Sequence, residues 1–509
     1  MDYNMTKFDV ASEQVCLEQT AELPIDADFS VADYLADIKK VLKCKITPYI
    51  SSRQITGNVL VVEGTAMISV IYANDTGAIS SAEQEVPFKK SFETNRLMDG
   101  GSCKVFAAAS THACRAVTER KLSVKGSVRL DATVFTIEKT EIISDIDSDC
   151  FEQLRGETPA TTPLGIAEKT LVIDEELILP QNMPAAQRIL RSGASALVTD
   201  CKIISNKIIV KGNVRVCVLY CTKEDALQKH TADIPFNQII DLIGIGEHCE
   251  CEARADVCGL SLSSRTSQNG ECRSFMLTSK LLITAAARCD SDIPVVFDAY
   301  STRFAASIQK NDVCFTRIAK QVNESFLCKK KITLPEGSMQ QIADLWCGMN
   351  PCTARADGGG MIIAGGIAVN AITVDSNAEP GFAERIIDFE YPISVEGELK
   401  RPKCRPEVQI LNSDFSVTGP DELELRIELM IHATVYDSDT IPLITGIEVD
   451  ETAPIAADSA ALIAYYADRG ENIWEISKSF LANREELLEL NHITEDLVQT
   501  PKMLLIPRM

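Results

Sequence analysis

The chain has 509 residues, a formal net charge of −23 and 45% apolar residues. That apolar content is ordinary for a globular protein and is sufficient for several hydrophobic cores. A chain this acidic repels nucleic acids and anionic lipids, and its basic runs are short, such as Lys329-Lys330-Lys331, which we interpret as a solvated strand end. We therefore expect no nucleic-acid partner.

The N-terminal stretch MDYNMTKFDVASEQVCLEQT has no basic segment followed by an apolar one, so it lacks the pattern of a secretory signal. The chain also contains no run of about 18 apolar residues, which a membrane-spanning helix requires. We expect a cytoplasmic protein without a transmembrane segment.

The 18 cysteines include no C-x-x-C pair. Cys16, Cys217 and Cys314 lie inside apolar runs, where a free thiol behaves as a small hydrophobic side chain. In a long chain without a signal pattern, we interpret the cysteines as reduced and mostly buried thiols and not as a disulfide framework.

Three segments of the chain end in the same Leu-Pro dipeptide. They are EQVCLEQTAELP, EKTLVIDEELILP and NESFLCKKKITLP, which end at Pro24, Pro180 and Pro335 and place the dipeptides 156 and 155 residues apart. Three further markers follow each dipeptide in the same order. This recurrence predicts three homologous units, each long enough to have its own core.

We place these units at residues 10–160, 165–320 and 321–450, followed by a small module at residues 460–509. Two stretches are predicted to be linkers because they are rich in residues that favour turns or loops: GETPATTPLG (156–165) and DETAPIAADSAA (450–461).

The three units are predicted to be mainly β and sandwich-like. In LRIELMIHATVY, one apolar face starts at Leu425 and a mixed face at Arg426, which is the alternation of a half-buried strand. Gly64, Gly212 and Gly366 each lie between two strand-like runs and are predicted to be bends or bulges.

Each unit is also predicted to contain a short helix after its Leu-Pro dipeptide. The stretch SVADYLADIKKVL (30–42) shows the pattern, with Ser30 as the cap and an apolar stripe that includes Tyr34 and Leu35.

No catalytic constellation stands out in the sequence. The chain has no G-x-S-x-G motif, GGGMIIAGG (358–366) lacks the residues of a phosphate loop, and DIDSD (145–149) lacks the rest of a calcium loop. The cluster of His248, Cys249, Cys251 and Cys258 does not have the usual zinc spacing. We expect a protein that is not an enzyme and has no cofactor, and we keep a metal site at His248 as a weak alternative.

The C-terminal stretch GENIWEISKSFLANREELLELNH differs from the rest. Asn472 and Asn483 are each followed by a glutamate three residues later, which predicts two capped helices. The flanking runs LIAYYA (462–467) and MLLIP (503–507) are strand-like, so the predicted order is β-α-α-β.

This order and these residues resemble a LysM domain. The residues that match the family pattern are Gly470, Glu471, Ile473, Trp474, Ile476, Glu486, Leu487, Leu488, Asn491, Leu505, Ile506 and Pro507. Asn472 replaces the family's Thr or Ser, and Lys502-Met503 replace its Gly-Gln. The resemblance implies binding of N-acetylglucosamine glycans between two loops, of which the second is altered here. Trp474 is interpreted as helix packing in preference to an exposed ligand platform.

Three long β units followed by one LysM-like module resemble a family of clostridial spore-coat morphogenetic proteins. The resemblance implies a scaffold in the mother-cell cytoplasm at the forespore surface. Its implied partner is the ATPase of the coat's basement layer, stage IV sporulation protein A, and the LysM-like end is implicated in that contact.

The candidate site for a protein partner, or alternatively for a peptidoglycan glycan, consists of the loop residues of the module. These are Gly470, Glu471, Asn472, Ile473, Trp474, Asn491, His492 and Ile493.

Overall fold

The structure is a computed structural model. It describes residues 4–266, 270–334, 341–375, 379–419, 421–455 and 461–507, apart from the side chain of Thr111. Within these residues the chain is mainly β, as predicted, and the only two α-helices of the described part lie near the C-terminus.

The first unit contains six long strands. They are β1 (Asn4–Ser30), β2 (Lys40–Thr56), β3 (Val59–Ala73), β4 (Ile79–Glu93), β5 (Ser102–Thr118) and β6 (Lys121–Asp147). They form two antiparallel sheets with the strand orders β1-β6-β5 and β2-β3-β4.

The second unit repeats this arrangement. Its strands are β7 (Phe151–Ile178), β8 (Arg188–Ile204), β9 (Lys207–Cys221), β10 (Leu227–Asp241), β11 (Glu250–Thr266) and β12 (Cys272–Ser301). The two sheets have the orders β11-β12-β7 and β10-β9-β8.

The third unit has the same two sheets, but the strand that corresponds to β2 and β8 is divided into two shorter strands, β14 and β15. Its strands are β13 (Phe304–Thr333), β14 (Gln341–Met349), β15 (Thr353–Asp357), β16 (Gly360–Val374), β17 (Pro380–Ser394), β18 (Pro402–Val417) and β19 (Glu422–Pro454). β13-β19-β18 form one sheet, and β16 pairs with β14, β15 and β17 in the other.

The two sheets of each unit share one hydrophobic core. In β3, every second residue from Leu60 to Val70 points into that core, because side chains of a strand alternate between its two faces.

The glycine that recurs in each repeat does not bend the chain. It lies within a continuous strand, at a position where a neighbouring side chain packs directly against the backbone. Gly64 of β3 lies opposite Phe88 of β4, and a Cβ on this glycine would be 2.4 Å from the Phe88 ring. Any larger residue would collide with that ring, so only glycine fits. The predicted bulge is on the neighbouring strand β2, between Ile50 and Ser52.

The same pairing joins Gly212 to Phe236 in the second unit and Gly365 to Phe389 in the third. The assignment of Gly366 to this position was therefore wrong by one residue, because the run of glycines hides the register from the sequence.

The predicted helix after the first Leu-Pro dipeptide is also wrong. Residues 31–39 form an irregular turn, in which Arg120 donates hydrogen bonds to the carbonyls of Ala32 (2.8 Å) and Leu35 (3.1 Å). Tyr72 donates another to Ala36. These hydrogen bonds stabilise an irregular turn, in which the Leu35 N–H also donates to the Ala32 carbonyl (2.9 Å). In the second unit Arg273 and Tyr220 bind the corresponding turn at Pro180, Met183 and Pro184. In the third unit, residues 335–340 lie outside the described part.

The predicted linker at residues 156–165 is wrong as well, because this stretch lies inside β7. β7 is an edge strand of its sheet, where Pro159 and Pro163 are tolerated although they cannot donate hydrogen bonds. Of the second predicted linker, residues 450–454 belong to β19 and residues 456–460 lie outside the described part.

The longest strands extend beyond the hydrophobic cores of their own units and pack together where the three units meet. The outer parts of β1 and β6, of β7 and β12, and of β13 and β19 pack there around one apolar cluster. It consists of Val10, Ile142, Ala160, Ile293, Val295, Val313, Phe315 and Leu443.

The sheets β2-β3-β4, β10-β9-β8 and the sheet that contains β16 are here called the inner sheets. They meet in a second shared cluster, formed by Leu42, Ile71, Ala73, Ile79, Leu190, Leu219, Cys221 and Ile372. Polar contacts join the units in a cycle: Arg188 donates to the Ile79 carbonyl (2.8 Å), Lys229 to the Leu345 carbonyl (3.4 Å) and Lys43 pairs with Glu384 (3.0 Å). Each unit thus contacts both others, so the three units form a closed ring.

Candidate functional site

The terminal module, residues 461–507, has the predicted β-α-α-β order. Its elements are β20 (Leu462–Ala467), α1 (Ile473–Phe480), α2 (Arg484–Leu490) and β21 (Lys502–Pro507). Ile473, Leu487, Leu504 and Ile506 are fully buried between the helices and the two-stranded sheet.

Both predicted helix caps are confirmed. The Asn472 side-chain oxygen accepts a hydrogen bond from the Trp474 backbone N–H (2.8 Å), and that of Asn483 accepts one from Glu486 (2.9 Å). Each asparagine satisfies an N–H group that has no partner within its helix.

The loop before α1 is held by internal hydrogen bonds. The Glu471 carboxylate accepts from the Tyr465 hydroxyl (3.1 Å) and from the Asp468 N–H (3.2 Å), and this contact raises the pKa of Tyr465. The Gly470 N–H donates to the Val498 carbonyl and the Val498 N–H to the Glu471 carbonyl. The loop before α1 and the loop after α2 therefore form one continuous surface.

The other candidate residues lie where α2 ends. The Asn491 side chain donates to the Leu505 carbonyl (2.7 Å) and accepts from the Leu505 N–H (2.7 Å), which fastens α2 to β21. Ile493 packs partly against the module's core. His492 is exposed and has a positive φ of 51°, so it forms the outer corner of this turn.

Trp474 points away from these loops and into the second unit. Its side chain is 3% exposed, and its ring centroid lies 5.1 Å from that of Tyr300 in β12. Its indole N–H donates to the Asp298 carboxylate (2.9 Å). The interpretation of Trp474 as a packing residue agrees with this position, but the residues that it packs against, Tyr300 and Asp298, belong to another unit.

Asp298 is the centre of this contact. Its Oδ2 accepts hydrogen bonds from Trp474 and Lys478 (2.6 Å), and its Oδ1 lies 2.8 Å from the Lys310 ammonium group of β13. Burial alone would raise the pKa of Asp298, but the hydrogen bonds from Lys310, Lys478 and Trp474 lower it to about 2. The carboxylate is therefore charged and bridges the second unit, the third unit and the terminal module.

Two further hydrogen bonds complete the docked face of the module, which we define as Trp474, Lys478, Ala482 and Asn483. The Tyr300 hydroxyl donates to the Ala482 carbonyl (2.7 Å), and the Asn483 side chain donates to Glu152 of β7 (2.7 Å). The module is thus fixed to the ends of β7 and β12.

On the opposite side, the module exposes an apolar surface that the sequence did not single out. Tyr466 of β20 lies directly across from Met503 of β21, and these side chains are 67% and 62% exposed. Leu462, on the same face of β20, is about half exposed. We call Leu462, Tyr466 and Met503 the hairpin face. LIAYYA is apolar throughout and KMLLIP is apolar after Lys502, so the positions that do not enter the core leave an exposed apolar face.

No helix of the described residues could cross a membrane, since α1 and α2 have only eight and seven residues.

Residues 37–110 and 185–263 match the family described as SipL, SPOCS domain. Both segments begin in the turn before the second strand of their unit and run through the inner sheet into the strand that follows it, β5 or β11. The third unit repeats the same pair of sheets outside the matched segments. No curated protein and no solved structure matches the chain.

The two family matches coincide with two structurally equivalent units of the ring, and SipL is associated with the spore coat. The chain therefore resembles SipL over these two segments, which indicates a sporulation coat-related protein.

Proposed function

We propose that the chain is a non-enzymatic morphogenetic scaffold of the spore coat. It binds the basement-layer ATPase, stage IV sporulation protein A, and thereby promotes localisation of the coat and its encasement of the forespore in the mother cell. The observation that supports this proposal most is the hairpin face, an exposed apolar surface on a module that is fixed to a large ring.

The hairpin face has the composition of a protein-binding surface. Tyrosine and methionine are enriched in the centres of protein–protein interfaces, where a few such side chains provide most of the binding energy. Tyr466 and Met503 lie opposite each other on two strands whose inner face is packed on the module's core, so their backbone is already ordered before binding. A partner that covers these side chains gains the free energy of burying apolar surface.

The candidate loops are less suited to a glycan. Glu471 and Asn491 already use their polar groups within the module, and Trp474 is buried against Tyr300 and Asp298. A sugar-binding loop needs free hydrogen-bonding groups and an accessible aromatic ring, and of the eight candidate residues only Gly470, Asn472 and His492 are exposed. This favours a protein partner over a glycan for the module.

The central experiment measures the affinity of purified stage IV sporulation protein A for the full-length chain and its variants. Tyr466→Ser with Met503→Ser should weaken binding by about 10-fold or more, the usual effect of losing interface hot spots. The matched control is Tyr34→Ser with Leu97→Ser, which removes a still more exposed tyrosine (88%) and an exposed aliphatic side chain (75%) from the ring.

We expect the control variant to bind as tightly as the unchanged chain. Unaltered binding by the Tyr466 and Met503 variant would remove the hairpin face from the proposal. Unaltered binding by a chain that ends before residue 461 would remove the whole terminal module from it.

The second candidate function is binding of peptidoglycan or N-acetylglucosamine glycans, which the LysM-like order of the module favours. Calorimetry of the full-length chain with N-acetylglucosamine oligomers tests it. We expect no saturable heat at millimolar glycan. Saturable heat that disappears in His492→Ala or Asn472→Ala would establish glycan binding at the loops.

A further inference from the structure

Three groups able to bind a metal ion lie together in the second unit. The imidazole of His248 and the thiols of Cys249 and Cys289 have ligand atoms that all lie within 4.8 Å of one another. Only the first two are close in sequence, since Cys289 follows Cys249 by 40 residues. This explains why the sequence pattern around His248, Cys251 and Cys258 did not show a metal site.

The strand register brings the two thiols together. β11 and β12 are antiparallel, and their ladder ends with Glu250 opposite Arg288. Cys249 and Cys289 are the next residues on each side, so they lie across from each other just beyond the ladder. The pairing of β12 with β7 shifts register at this point, between Ala287 and Arg288. Such irregularities often re-aim a side chain.

The turn between β10 and β11 supplies the third group. The Cys249 N–H donates to the Gly246 carbonyl (3.0 Å) and so closes the turn. A Cβ on Gly246 would lie 2.9 Å from Nδ1 of His248, which shows that the imidazole is folded tightly onto this glycine. Glycine at 246 therefore leaves room for the imidazole beside the thiols.

Thiol and imidazole groups are the ligands that zinc prefers in proteins, and a site with three protein ligands leaves a fourth position for solvent. We propose that His248, Cys249 and Cys289 form a binding site for a thiophilic divalent cation of the zinc class. The ion fastens the turn between β10 and β11 to β12.

The surroundings of the three groups are suited to a cation. Cys249 lines a surface cleft of about 460 Å³ together with Glu247, Glu250 and Lys202, so two carboxylates and one ammonium group surround its entrance. Cys249 is buried, Cys289 is half-buried and His248 is exposed. An ion can therefore reach the thiols from the side of the imidazole.

A nearby pair of thiols provides an internal control. Cys201 and Cys251 line the same cleft, with their sulfur atoms 2.9 Å apart. Neither belongs to the group of three ligands around His248. Replacement of Cys251 should therefore alter the cleft without altering the site.

The experiment uses the full-length chain, purified under anaerobic and reducing conditions, stripped with a chelator and titrated with Co²⁺ and then Zn²⁺. We expect thiolate-to-cobalt charge-transfer absorption that saturates at one ion per chain and is displaced by Zn²⁺. Cys249→Ser and Cys289→Ser should each weaken binding by more than about 100-fold, because removal of a direct ligand costs more than removal of an outer-shell group. His248→Ala should weaken binding but keep the charge-transfer absorption.

Cys251→Ser should bind the metal like the unchanged chain. Hydrogen exchange of residues 242–249 should slow on addition of Zn²⁺ in the unchanged chain and in Cys251→Ser, but not in Cys289→Ser. Because His248 is exposed, its replacement leaves folding intact. The His248→Ala variant therefore still tests the metal site if a serine variant does not fold. Absence of charge-transfer absorption, or equal binding by His248→Ala and the unchanged chain, would overturn the proposed site.

Discussion

The terminal module has two faces that use aromatic side chains in opposite ways. On the docked face, Trp474 is buried against Tyr300 and its N–H is paired with the charged Asp298. On the hairpin face, Tyr466 is mostly exposed beside Met503. The docked face is fixed by charges and directed hydrogen bonds, whereas the hairpin face offers apolar surface. The difference indicates that the first face sets the position of the module and the second is available to a partner.

The largest effect is expected from Trp474→Ala, which removes a buried aromatic ring from the docked face. Loss of a buried tryptophan typically costs about 3–5 kcal/mol of stability. Hydrogen exchange of residues 461–507 should therefore accelerate strongly, while exchange in the ring stays unchanged. Glu475→Ala, on the exposed side of the same helix, is the control and should change stability by less than about 0.5 kcal/mol. Equal exchange rates in both variants would show that Trp474 does not hold the module in place.

A smaller loss is expected at low pH, because the docked face depends on the charge of Asp298. Its pKa is lowered from an ordinary value of 3.8 to about 2. The folded state therefore gains stability that is complete above about pH 4 and is lost as the pH falls towards 2, and the pKa difference corresponds to about 2 kcal/mol.

Limited proteolysis of the module between pH 5 and pH 2 would measure this loss, with pH values chosen to bracket the two pKa values. Asp298→Asn should be less stable than the unchanged chain at pH 5 and should lack this part of the pH dependence. If both chains lose protection in parallel, other carboxylates control the contact.

The sequence predicted the module's strand and helix order because capping residues and apolar stripes are local signals, and Asn472 and Asn483 cap their helices as expected. It could not predict the docked face, because Asp298 and Tyr300 are more than 170 residues away from Trp474 and Ala482. The same limit applies to Cys289, which only strand register brings beside Cys249. The incorrect helix at 30–42 has a related cause, since Tyr72 of β3 and Arg120 of the turn between β5 and β6, both distant in sequence, donate hydrogen bonds to its carbonyls.

A substitution in the hairpin face should weaken partner binding and leave folding stability unchanged, whereas Trp474→Ala lowers stability. Tyr466→Ala is expected to lower the affinity for stage IV sporulation protein A by about tenfold, which corresponds to about 1.4 kcal/mol, and to leave folding stability within about 0.5 kcal/mol. Binding and thermal unfolding measured on the same preparation separate the two effects. A fall in stability that accounts for the whole loss of binding would show that Tyr466 is structural and that the two faces do not differ as argued.

The smallest effect is expected from Tyr300→Phe, which removes one hydroxyl from the docked face and keeps the ring. Burial raises the pKa of Tyr300 far above neutrality, so its hydroxyl stays protonated and donates to the Ala482 carbonyl. Loss of this hydrogen bond should cost about 1 kcal/mol in the hydrogen-exchange stability of residues 461–507. Tyr300→Ala also removes the ring packed on Trp474 and should cost about 3–5 kcal/mol. The difference between the two variants measures the packing contribution alone. If they are equally destabilised, the hydroxyl and not the ring holds the module, and the docked face is purely polar.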